Sequence, residues 1–437
     1  MPYYCFHKLK VIDMKTLKRK TGIIKIVSIS FIILFASAVL GACAKNEIID
    51  EQNTKDNLPT PDLPYTIVGT NQLSCFDNTK EISAPSVGEE FYGQNALYNE
   101  NQGSYTDNTD GTITDNITGL MWQKNAGDKM TYDEAVNGAS SFDLSGYTDW
   151  RLPTIKELYS LIIFSGIDPS GYNGSSTTGL IPFIDTDYFD FEYGNPNDDK
   201  RIIDSQFATS SLDVGDSNFG GGNLMFGVNF ADGRIKGYPT GAMPGQPEGK
   251  TFFVLYVRGN QNYGINEFVE NSNATITDNA TGLMWTKDDS GTGMNWQQAL
   301  EYAEGKEFAG YSDWRLPNIK ELQSIVDYLR SPGSSNSAAI DPVFNCTEIT
   351  NEGGQKDYPY YWSGTTHANM QNGGNAAYIS FGRALGYFNG SWQDVHGAGA
   401  QRSDPKVGDA TNWPTGHGPQ GDAIRINNFV RLVRNVN

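Results

Sequence analysis

The sequence predicts an α+β protein built from two tandem domains, each with two helices packed on a small twisted antiparallel sheet. Three observations carry that expectation. "TDNITGLMWQKN" at 114–125 returns as "TDNATGLMWTKD" at 277–288, a match too long to be an accident of composition. A helix-starting motif occurs at one matching place in each copy. Between these, apolar residues alternate with polar ones among Gly, Asn and Asp clusters, as in short strands joined by turns.

The N-terminal stretch reads as an export signal rather than as part of the fold. "MKTLKRKTGIIK" from Met14 is basic, and Ile26 to Leu40 is an uncharged, mostly apolar run. That run is shorter than the roughly 20 residues a spanning helix needs. It ends in Leu40-Gly41-Ala42-Cys43, which resembles the lipobox of bacterial lipoproteins. In that reading residues 1–42 are a signal peptide, and Cys43 is the lipidation site that anchors the chain in the membrane through acyl chains. Ala44, where an aspartate would favour inner-membrane retention, points to an outer-membrane lipoprotein of the bacterial cell envelope, periplasmic or surface-exposed. Residues 43–71 are polar and proline-dotted, a lipidated flexible tether.

Removing residues 1–42, which hold seven Lys/Arg and one acid, moves the formal charge from −19 to −25. Such a surface repels nucleic acid, so nucleic acid is excluded as a partner. Beyond Cys43 that remainder has only Cys75 and Cys346, and spacing alone does not decide whether they pair.

The repeat sets the domains as 72–262, the first with an N-terminal extension, and 263–437. Each opens on a hairpin ("GTITDNITGLMW" in the first), followed by apolar residues at helical spacing in "TYDEAVNGASSF" and "NWQQALEYAEGKEF". After "DWRLP", Thr154 to Glu157 and Asn318 to Glu321 are capping boxes: the first side chain accepts an amide of the first turn while the glutamate reaches back. "VNFADGRIKGY" at 228–238 answers "ISFGRALGY" at 379–387, and "FFVLYVRG" at 252–259 answers the closing "NFVRLVRN" at 428–435. Trp122, Trp150, Trp285 and Trp314 recur at equal positions and read as core rather than as sugar platforms. Arg151 and Arg315 beside them read as structural ion pairs.

The string "TDNxTGLMW", "GYxDWRLPxIKEL", "YWSGTTH", "DVHGAGAQRSDPK", "GHGPQGD" and "VRLVR" resembles the bacterial family named for the C-terminal domain of the Legionella collagen-like adhesin. The resemblance covers about residues 70 to 437. It implies two C-type-lectin-like folds, which formylglycine-generating enzymes also use, and an adhesin-like binding role; in the adhesin the domain binds sulfated polysaccharides. Family copies often carry a cysteine in the closing strand, where Tyr256 and Leu432 stand here, so this chain is expected to rely on packing.

The copies differ most before the final strand. Copy one has 14 residues between Tyr238 and Phe253; copy two has 41 between Tyr387 and Phe429. A structureless loop that long is usually functional or disordered. It carries the candidate ligand-binding residues Trp392, Asp394, His396, Arg402, Asp404, Trp413 and His417, with Asp422 beside them. Three readings are open: a structural loop with His396 bonding backbone carbonyls, a divalent-cation site of imidazole and carboxylate ligands, or a carbohydrate or peptide site using the two tryptophans. No zinc template fits the spacing, and no cofactor is expected. Catalysis is not expected either: after residue 42 every histidine lies in copy two, and no G-x-S-x-G, P-loop or H-E-x-x-H motif occurs. The expectation carried forward is a binding module for a glycan or other envelope or extracellular component. A structural envelope protein is the alternative, and an enzyme related to formylglycine generators stands third.

Overall fold

The computed structural model describes residues 63–98, 101–198, 200–215, 223–243 and 247–436. The expected signal peptide, Cys43 and the tether as far as residue 62 lie outside the described residues. Among those residues no helix is long and apolar enough to cross a membrane.

The repeated block builds the same sheet twice. In copy one, Tyr105–Asp107, Thr112–Asp115, Leu120–Gln123 and Val257–Gly259 form a four-stranded antiparallel sheet; in copy two, Phe268–Glu270, Thr275–Asp278, Leu283–Thr286 and Val433–Asn435 do so in equivalent order. The motif explains the turn. Asp115 accepts the amides of Ile117 at 2.9 Å and Thr118 at 3.1 Å, and Asp278 accepts that of Ala280 at 3.1 Å. Gly119 and Gly282 follow at φ 72° and 70°, a backbone state open to glycine at little cost. The turn aims Trp122 and Trp285 inward, each fully buried, opposite Ile113 and Ile276. Trp150 and Trp314 are buried too, so all four recurring tryptophans are core.

Four α-helices occur among the described residues: α1 (Tyr132–Ala139), α2 (Ile155–Tyr159), α3 (Trp296–Glu304) and α4 (Ile319–Ser324), and each starts on a complete capping box. Those at Thr154 and Asn318 stand where the sequence puts them. Arg151 pairs with Glu157 and Arg315 with Glu321 at 2.6 Å, so the arginine of "DWRLP" holds the capping glutamate of the next helix.

The α+β expectation of two C-type-lectin-like domains, each with two helices packed on a small sheet, is overturned. The helices hold only 5 to 9 residues and form no layer; the regular structure of the described residues is mostly strand, in several small sheets. The apolar run after α2 is the physical reason. "LIIF" at 161–164 leaves the helix after Ser160, and its last two amides bond distant chain: Ile163 N–H to Phe183 O at 3.0 Å, and Phe164 N–H to Thr70 O at 2.7 Å. A short buried apolar run fits helix or extended chain equally well, and tertiary bonding decides.

The largest sheet belongs to both copies. Its six antiparallel strands run in the order Tyr360–Thr366, Asn375–Ser380, Gln401–Pro405, Arg234–Pro239, Leu224–Asn229 and Gln206–Phe207. The copies meet where Gln401 pairs with Ile235. One apolar core draws Trp122, Phe226 and Val257 together with Trp285, Tyr361 and Val433, and a smaller cluster flanks it in each copy. The "IKEL" lysines cross the seam reciprocally. Lys156 Nζ donates to Ser324 O at 2.6 Å, at the end of α4, and Lys320 Nζ donates to Ser160 O at 2.8 Å, at the end of α2. Each cation thus meets the electronegative end of the other copy's helix. The N-terminal extension lies on copy two: Gln72 and Thr366 exchange bonds of 2.7 and 2.9 Å, and Tyr98 Oη donates to Glu304 at 2.6 Å.

Candidate binding cleft

The 41-residue connection of copy two is an ordered structure in three parts. Leu385–Phe388 and Ser391–Asp394 form a hairpin, Gln401–Pro405 is the seam strand, and residues 406–428 wrap back to the closing segment through a 3-10 turn at Ala410–Asn412. Copy one pairs 224–229 directly with 234–239. In copy two the equivalent first strand, 375–380, pairs instead with 401–405. The extra chain therefore supplies the strand that joins the copies.

Four of the seven candidate residues hold this connection together. His396 is 1% exposed, and its Nε2–H donates to Asp422 at 2.8 Å; the other Asp422 oxygen pairs with Arg402. Burial, then Arg402 and Lys236, hold His396 well below the usual histidine range, so the ring is neutral. The sequence reading had His396 bonding carbonyls; its partner is a carboxylate instead. Asp404 is fully buried and accepts the amides of Arg425 and Ile426 and the side-chain amide of Asn428, each at 3.1 Å. Burial pushes its pKa up to about 6 against those donors. Asp394 turns back to accept the Gly397 amide at 2.9 Å, and burial, with Asp213 nearby, raises its pKa well above the carboxylate range. His417 is exposed, and its backbone exchanges two 2.8 Å bonds with that of Asp422. Among the described residues no three His, Cys, Asp or Glu side chains converge as metal ligands.

The seam strand also closes a charged cluster between the copies. Arg234 pairs with Asp168 at 2.7 Å, Lys236 with Asp232 at 2.5 Å, and His367 Nε2–H donates to the Asp232 carbonyl at 2.9 Å. Burial lowers Lys236 to about 8. Burial and then the Arg234 charge lower His367 to about 4.

Trp392 and Trp413 differ from the other six tryptophans, all of which are buried. Both are half-buried, and both line one cleft of about 550 Å³, within the roughly 300–1,000 Å³ of small-ligand sites. Trp392 stands edge-on to Tyr387, with ring centroids 5.3 Å apart. The same cleft is lined by Glu352, Tyr360, Arg425 and Asn428. Glu352 takes both ends of the Arg425 fork at 2.8 and 2.9 Å, and the guanidinium lies 3.7 Å over the Tyr360 ring. Burial opposes ionisation of Glu352, yet Arg425 holds its pKa below the ordinary value. The sequence reading missed these four residues. Glu352 and Tyr360 lie far from the connection in the chain, Arg425 sits in it without any motif, and Asn428 opens the closing repeat block, which reads as core.

The model of the Lcl C-terminal domain family matches the chain twice, over residues 111–258 and 274–413. No curated protein and no solved structure matches it.

Proposed function

The chain belongs to the Lcl C-terminal domain family, and from that membership and the cleft we propose an adhesin-like binding module of the cell envelope. In this reading Cys43 carries the lipid anchor at the outer membrane. The two copies share one core and one sheet, and the ligand, a glycan or other envelope or extracellular component, sits between Trp392 and Trp413. One observation carries the assignment of the site: these two tryptophans alone among eight keep exposed surface, and they line the same cleft. Aromatic rings kept partly wet are costly unless something covers them. Asp394, His396, Arg402 and Asp404 act behind the cleft as its frame.

A second reading has its own support. Strand Gln401–Pro405 within the connection joins the copies, as a purely structural envelope protein would. Arrays of glycans and envelope components, probed with the parent and with Trp392→Ala and Trp413→Ala, separate the two. Binding that both variants lose supports the cleft; equal binding by all three proteins would move the ligand elsewhere, and no binding by any favours the structural role.

A further inference from the structure

Resting on that reading of the cleft, we infer that its ligand is an uncharged polysaccharide, held by its ring faces and by donated hydroxyl hydrogens. The charge of the lining is the first ground. Glu352 and Arg425 are its only charged side chains, and they are spent on each other in a two-point pair. Arg425 is further engaged with the Tyr360 ring and, through Nη1, with the Tyr358 carbonyl at 3.5 Å. Among the described lining residues no cation is left over to meet a sulfate, phosphate or carboxylate. The chain as a whole carries a formal charge of −19, which repels anionic chains further.

The second ground is an acceptor without a donor. Asn428 is 1% exposed; its Nδ2 is used on Asp404 at 3.1 Å, and its Oδ1 has no partner. A buried carbonyl oxygen left unpaired costs free energy, and this one belongs to a residue of the cleft wall. It makes that wall acceptor-rich: a hydroxyl donor suits it, and an anionic group, itself an acceptor, does not.

The third ground is shape. Two half-buried indoles in one open cleft offer flat apolar faces, matched by the C–H faces of pyranose rings. Thr350 and Asn427, both exposed on the rim, add hydroxyl and amide groups of the kind that bond sugar hydroxyls. Copy one has no counterpart: Gln206 takes the place of Tyr360 in the repeat alignment, and its short connection carries no tryptophan. One site per chain follows.

The test uses the full protein in affinity electrophoresis and calorimetric titration against a soluble β-glucan, a galactomannan and dextran, with heparin, polygalacturonate and gelatin alongside. At least one neutral polysaccharide should bind, with little change between low and high salt. Trp392→Ala and Trp413→Ala should each weaken it roughly tenfold or more, while Trp392→Phe keeps most of the binding and circular dichroism reports each variant folded. Tryptophan-dependent binding of heparin or polygalacturonate that falls with salt would overturn the neutral ligand and leave the binding module standing; so would tryptophan-dependent binding of gelatin. If no probe responds to either alanine variant, both the ligand class and the cleft assignment fall.

Discussion

His367 offers a direct measure of how tightly the two copies are joined. It lies on copy two, 1% exposed, against Phe164 and Phe183 of copy one, and donates to the copy-one carbonyl of Asp232 at 2.9 Å. Its pKa in the fold is about 4, because burial and the Arg234 charge both oppose a second proton. The unfolded chain takes that proton near pH 6.5. Below about 6.5 the unfolded state therefore binds more protons than the folded one, and stability falls with pH until about 4. The gap is worth on the order of 3 kcal/mol in full and roughly 2 to 3 kcal/mol by pH 4.5. Asp404 works the other way. Its pKa of about 6 penalises the fold at neutral pH, and that penalty is relieved as pH falls toward the ordinary carboxylate value near 3.9. Other groups titrate over the same range, His396 among them, so a variant is needed to isolate His367. His367→Gln keeps a donor for the Asp232 carbonyl, loses the ring contacts at a cost of about 1 kcal/mol, and never titrates. Urea unfolding at pH 7.5, 6.0, 5.0 and 4.5 should find the variant weaker at the first pH and equal or stronger at the last. Parallel curves at a constant gap would refute the burial of a neutral histidine at the seam.

Three further outcomes are expected. Thr154→Ala and Asn318→Ala each remove the acceptor of a complete capping box and should lower stability by about 1 kcal/mol in denaturant unfolding; no change in either would mean that the boxes are not formed. Trimming the copy-two connection to copy one's length removes strand Gln401–Pro405, which pairs with both copies. Hydrogen exchange should then rise in Arg234–Pro239 of copy one as well as in copy two, whereas unchanged protection at 234–239 would show that the seam pairing is idle. Cys43→Ser should leave an unprocessed precursor or a released soluble protein, and a cleaved protein that still fractionates with membranes would remove the lipid-anchor proposal.

Local chemistry was legible in the sequence and distant chemistry was not. The capping boxes, the Asp115 and Asp278 turns and the Arg151 and Arg315 pairs all act within a few residues, so the repeat displays them twice. Thr131 with Glu134 and Asn295 with Gln298 complete two more boxes by the same rule. The seam strand is the opposite case. "QRSDP" has poor strand propensity, and its place is set by Ala377, Tyr378 and Ile235, far away in the chain. Polar residues in the connection read as ligands because a single sequence cannot separate a buried polar pair from a binding set. Arg402 and His396 are spent on Asp422, and Asp404 on backbone amides. The tryptophans were legible for a physical reason: an indole in a chain segment rich in Gly, Asp and Asn has little local core to enter.

The divergence of copy two follows from what a duplicated sheet must do with its edges. In copy one the hairpin of 224–229 and 234–239 leaves 234–239 as an edge strand, a row of open donors and acceptors that invites wrong pairing. The inserted strand 401–405 meets that edge at the Gln401–Ile235 pair and at the same time takes the place beside 375–380 that the equivalent hairpin strand would have filled. Displaced from the sheet, Leu385–Phe388 pairs with Ser391–Asp394 instead, and this outlying hairpin is what carries Trp392 to the cleft. The return leg brings Trp413 and then Arg425 to the same cleft, and Asp404, on the seam strand, fixes the amides of Arg425 and Ile426. Joining the copies and shaping the cleft are thus one rearrangement. A ligand that orders the Trp392 hairpin must then also stabilise the seam, so occupancy of the cleft and protection of strand 234–239 should rise together.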